Sequence, residues 1–111
     1  MKKIIFLTLF AALLAGCAVH RYHSEFAFAN KLLQEGLWQE AIFRLEKARA
    51  AGNDSAALHN NLAVALEGLG RADEAEREYQ AALKLAPANV QIRLNLDKLK
   101  KNQRKDADEK K

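Results

Sequence analysis

The chain repeats itself. Laid against itself at an offset of 34 residues, Ala29 meets Ala63, Leu32 meets Leu66, Gly36 meets Gly70, Glu40-Ala41 meets Glu74-Ala75, and Ala48 meets Ala82. A period in this range marks a stacked array, in which each unit leaves an apolar face for its neighbour to cover. Within each unit the apolar residues fall at helical spacing. Ala41, Ile42, Leu45 and Ala48 share one face, and Leu58, Leu62, Ala65, Leu66 and Leu69 share another. Gly36 and Gly70 stand just past the first helix of each unit, where a left-handed C-cap is wanted. Ser55 suits an N-cap. Ala29 and Ala63 keep side chains small where paired helices cross. The pattern predicts helices near residues 24–35, 38–51, 55–69, 72–85 and 89–101. A single proline, Pro87, and a wealth of Ala, Leu, Glu, Lys and Gln point the same way, to an all-α chain.

These residues resemble the tetratricopeptide repeat, a helix–turn–helix unit of this length. The second copy, residues 56–89, places Leu62-Ala63, Leu66, Gly70, Ala75, Tyr79, Ala82-Leu83 and Pro87 where the family has its pattern. The first, residues 22–55, is looser: Phe28-Ala29, Leu32, Gly36, Trp38, Ala41, Leu45 and Ala48, with Asn53 in place of the closing proline. Beyond it, Ile92, Leu94, Leu96 and Leu99 suggest a capping helix over 90–101. The resemblance implies a helical solenoid over residues 24–101, of about two repeats and a C-terminal capping helix. Residues 102–111 have no apolar periodicity and read as a disordered polar tail.

The N-terminus is of another kind. Lys2-Lys3 precede an almost unbroken apolar run from Ile4 to Leu14, and Leu14-Ala15-Gly16-Cys17 follows. A charged start, a short apolar stretch and small residues at a processing site make a signal peptide. The run is well short of the roughly 20 residues that span a bilayer. Its end resembles the lipobox of bacterial lipoproteins. That resemblance implies that residues 1–16 are removed, that Cys17 is acylated on its sulfur and its new amino group, and that residues 17–23 form a lipidated tether. Ala18, where an aspartate would favour inner-membrane retention, implies the outer membrane facing the periplasm. Losing Lys2 and Lys3 from a formal charge of +4 leaves +2, no footprint for nucleic acid. Cys17 is the only cysteine, so the mature chain has no internal disulfide.

Function has to be sought in the groove. The resemblance implies a concave face built from the first helix of each pair, with the fifth, sixth and ninth repeat positions turned into it. Those are Phe26, Ala27 and Asn30; Asn60, Asn61 and Val64; Leu94, Asn95 and Lys98. Asn61 and Asn95 occupy the same repeat position, where some peptide-binding members use asparagine to grip a ligand backbone. A carboxamide both donates and accepts, so it can pair with a peptide unit in either sense. Phe26, Leu33, Val64 and Leu94 would then supply side-chain selectivity. A subclass that clamps C-terminal carboxylates shares Asn30 and Asn61. Its cationic positions hold Phe26, Gln91 and Asn95 here, which argues against that use.

Other residues read as structural. Trp38 and Tyr79 sit at aromatic core positions of helix B. His20, His23 and His59 lack metal-ligand spacing. Glu67, Asp73, Glu74 and Glu78 read as a solvated face. No nucleophile–base pattern or phosphate loop is present. The sequence thus points to a non-catalytic adaptor with no cofactor or metal. It would be held to the membrane through lipid on Cys17 and would bind another envelope protein or a peptide segment of one. Resemblance to repeat-containing lipoproteins suggests assembly of a pilus, secretion or related envelope complex. The alternatives are recruitment of cell-wall hydrolases, or self-association as a homodimer. The last gains weight if Leu94, Leu96 and Leu99 leave an uncovered apolar stripe.

Overall fold

The computed structural model gives the backbone of residues 1–111 and the side chains of all but residues 6, 7, 9, 13–15, 17–19, 21 and 22. Cys17, expected to carry the lipid, is therefore outside the residues whose side chains are described. Five helices follow one another: α1 (Lys2–Gln34), α2 (Trp38–Ala50), α3 (Ala56–Gly68), α4 (Ala72–Leu85) and α5 (Val90–Glu109). Each packs on the next, and α1 also reaches α3. Short turns make neighbours antiparallel, so α1, α3 and α5 form one row and α2 and α4 the other.

The turns repeat as the sequence does. Gly36 takes φ 72° and Gly70 φ 75°. At the first, Leu37 N–H donates to Leu32 O at 2.9 Å and Gly36 N–H to Leu33 O at 3.2 Å. At the second, Arg71 N–H donates to Leu66 O and Gly70 N–H to Glu67 O, both at 2.9 Å. This paired closure is the Schellman motif, which satisfies carbonyls that the helix end would orphan. α2 closes with a third such turn, at Gly52 with φ 107°. Asn53 then does the work of the absent proline. It is buried, and its Oδ1 accepts from Ser55 N–H at 3.2 Å, which turns the chain toward α3. Ser55 caps α3 as expected, its Oγ accepting from Leu58 N–H at 3.2 Å. Asn89 caps α5 in the same way.

The core is a seam of leucines and alanines. Ala29, Leu45, Ala48, Leu58 and Leu62 bind the first hairpin to α3. Ala63, Leu66, Ala75, Tyr79, Ala82, Ile92, Leu96 and Leu99 bind the second hairpin to the cap. Ala29 and Ala63 have no solvent exposure, which fits their role at the helix crossings. Leu96 and Leu99 are 7% and 3% exposed, so the stripe that would have favoured a homodimer is covered; Leu94 alone of the three stands out, at 56%.

Two stretches differ from expectation. α1 begins at Lys2, well before residue 24, and the tether expected at 17–23 falls mostly on residues outside those whose side chains are described. The polar tail is also helical, to Glu109. Its Lys, Arg, Gln and Ala residues propagate a helix already nucleated by the packed segment. Gln103 Nε2 ties it down once, donating to Asp73 Oδ1 at 3.3 Å.

Candidate functional site

Four asparagines and a glutamine cross the row formed by α1, α3 and α5. Asn61 Nδ2 donates to Asn30 Oδ1 at 2.6 Å, and Asn60 Nδ2 to Asn61 Oδ1 at 3.1 Å. Asn95 Nδ2 donates to Asn60 Oδ1 at 3.0 Å, and Gln91 Nε2 to Asn95 Oδ1 at 3.1 Å. The carboxamides thus join three helices that are far apart in sequence. The helices place them there: Asn30 lies one residue beyond buried Ala29, Asn61 one before buried Leu62, and Asn95 one before buried Leu96. The four asparagines are half-buried. A carboxamide has two N–H donors and two acceptor lone pairs. Asn60, Asn61 and Asn95 each spend one donor and one acceptor on the ladder, which leaves one of each for a ligand.

The apolar residues expected to line the groove divide. Phe26 packs against the first core cluster, Leu33 against Leu32, Ala41 and Ala65, and Val64 against the second hairpin's core. Each is half-buried, so each offers only an edge to a ligand. Leu94 and Lys98 stand free on α5.

Beside the ladder is an open pocket of about 440 Å³ lined by Trp38, Val64, Glu67, Gly68, Tyr79, Asn95 and Lys98. Val64, Asn95 and Lys98 are among the residues expected to line the groove; Trp38, Glu67, Gly68 and Tyr79 are not. Trp38 is half-buried, not wholly in the core. Its indole lies on Gly68 so closely that a Cβ there would stand 2.5 Å from two ring atoms. Tyr79 is buried, and its hydroxyl donates to Glu67 Oε2 at 3.1 Å. Burial chiefly, then the Glu67 charge and the hydrogen bond to it, push the Tyr79 phenol well above its usual range. The signal that could have revealed this corner is Gly68. A helical glycine that no turn requires marks a close approach.

The acidic residues are more engaged than a solvated face would be. Glu78 accepts from Arg49 Nη2 at 3.0 and 3.1 Å and contacts His59 Nδ1 at 2.6 Å, while His59 Nε2 contacts Asp54 Oδ1 at 2.9 Å. These contacts staple α2, α3 and α4 together. Glu74 pairs with Arg71 on the surface. Among the described residues no group of three His, Cys, Asp or Glu side chains could hold a metal.

Comparison with known families finds two matches. A family model described as tetratricopeptide repeat matches residues 32–94. A model described as prokaryotic membrane lipoprotein lipid attachment site matches residues 1–18. No curated protein matches the chain.

Proposed function

Because the chain belongs to the tetratricopeptide repeat family and carries a prokaryotic lipoprotein attachment site, we propose that it is a non-catalytic adaptor of the bacterial envelope, holding an extended segment of another envelope protein in its concave face. The family is a protein-interaction module and the attachment site makes the protein a lipid-anchored membrane lipoprotein. The single observation behind the finer reading is the carboxamide ladder. Asn60, Asn61 and Asn95 keep donors and acceptors to spare on a face framed by Phe26, Leu33, Val64 and Leu94. Amide contacts tolerate many sequences, so selectivity falls to those apolar edges and to the Trp38–Lys98 pocket. Lipid anchoring at the outer membrane would concentrate the groove where envelope machines assemble. A pilus, secretion or related complex is the partner class we favour, ahead of cell-wall hydrolases.

The test is affinity capture from envelope extract by the mature lipoprotein, beside an Asn61→Ala, Asn95→Ala variant whose melting has been checked. A partner held by the parent and lost by a folded variant supports the groove. Equal capture by both removes it.

A further inference from the structure

We propose that the outer face of the α1–α2 hairpin lies flat on the bilayer that holds the acyl chains, with Phe28 and Phe43 seated among the lipid headgroups. The inference rests on the lipid attachment and not on the groove reading. Phe28 and Phe43 are 42% and 51% exposed. They are not isolated. The Arg44 guanidinium carbon lies 5.0 Å from the Phe28 ring centre and 5.6 Å from that of Phe43, and Lys47 Nζ lies 5.0 Å from the latter. Aromatic rings flanked by long cationic side chains suit a membrane surface, where the rings enter the interface and the charged ends stay in water.

Helix register brings this patch to the anchor. Residue 17 precedes Phe28 by eleven residues on one uninterrupted helix. At 3.6 residues per turn that is about three turns, leaving the two positions within about 20° of each other and about 16 Å apart along the axis. One side of α1 is occupied, while Ser24, Ala27, Phe28 and Lys31 form its exposed side. Ala29 and Leu32 are buried in the core, and Asn30 is bonded to α3. By register alone, position 17 falls on the exposed side of α1 that carries Phe28, and α2 extends that side with Phe43 and Lys47.

Charge does not drive the contact. Arg44 is paired with Glu25 at 3.3 Å and Glu40 at 3.0 Å, and Lys47 with Glu25 at 3.8 Å, so cations and carboxylates balance. Docking should survive in bilayers without anionic lipid. It would turn the groove sideways, parallel to the membrane plane, with α5 as the layer farthest from the lipid.

The experiment uses the mature lipidated protein in phosphatidylethanolamine vesicles, with and without phosphatidylglycerol. Acylation blocks Cys17, so a cysteine introduced as Gln39→Cys, one turn before Phe43, takes a nitroxide uniquely. Arg77→Cys on α4 is the control. The expected result is preferential collision with oxygen over a water-soluble nickel complex at residue 39, the reverse at 77, and no dependence on anionic lipid. In a Phe28→Ser, Phe43→Ser variant with unchanged melting, residue 39 should revert to the aqueous profile. Equal aqueous profiles at 39 and 77 would overturn the proposal. So would spin–spin broadening at 39 that persists in detergent, which would assign the face to a second copy.

Discussion

Replacing Gly68 by alanine should expose how tightly Trp38 is held. An added Cβ would stand 2.5 Å from indole atoms Cδ2 and Cε2 and 2.8 Å from Cγ. The fused ring cannot bend aside, so the whole indole must turn, leaving its place beside Gly36, where an added Cβ would stand 3.6 Å from Cζ2. Overpacking of this kind costs about 1–3 kcal/mol. Alanine in a helix returns up to about 1 kcal/mol relative to glycine. The net expectation is a loss of about 0–2 kcal/mol, or up to roughly 10 °C in melting temperature for a domain of this size. With Trp38→Ala already present the clash is gone, and Gly68→Ala should stabilise by about 1 kcal/mol. The change of effect between backgrounds is the coupling energy, about 1–3 kcal/mol. Urea unfolding of the four proteins, followed by far-ultraviolet circular dichroism, measures it. Trp38 is the only tryptophan, so its emission should also shift red in Gly68→Ala as the ring leaves its seat. If Gly68→Ala stabilises both backgrounds equally, the indole does not rest on this glycine and the pocket wall is misassigned.

Two further predictions concern the domain around it. Tyr79→Phe removes the bond to Glu67 and should cost about 1 kcal/mol at neutral pH. The phenol's folded pKa lies above its ordinary 10.0, so the stability it contributes is full below that pH and fades as pH rises beyond it. Denaturation midpoints between pH 9 and about 11 should therefore fall faster in the parent than in Tyr79→Phe. Ser55→Ala and Asn89→Ala each remove a helix N-cap, and each should lower stability by about 1 kcal/mol in urea titrations, additively because they cap different helices.

Much of the fold was legible because a repeat states its rules twice. Gly36 and Gly70, Ala29 and Ala63, and the leucine faces of α2 and α3 carry turn and crossing information within a few residues of themselves. The helical tail was not legible because nothing apolar recurs over 102–109, yet nothing breaks a helix there either, and a helix once nucleated needs no core to continue. The groove was legible only in part. Repeat position put Asn61 and Asn95 on one face, but that Asn60 would bridge them, or that Glu67 would meet Tyr79 across a helix pair, depends on distances that no period encodes. Gly68 is hard to read from the repeat because Gly70, two residues on, already accounts for the turn.

The ladder also has a direction. Every amide in it donates toward α1, from Gln91 through Asn95, Asn60 and Asn61 to Asn30. None of the four half-buried asparagines can flip alone without setting two oxygens or two amino groups face to face, while exposed Gln91 can turn to water. The chain ends as a donor at Asn30 and as an acceptor at Gln91. The two edges of the concave face therefore differ, with two spare N–H donors at Asn30 and two spare lone pairs on the Gln91 oxygen.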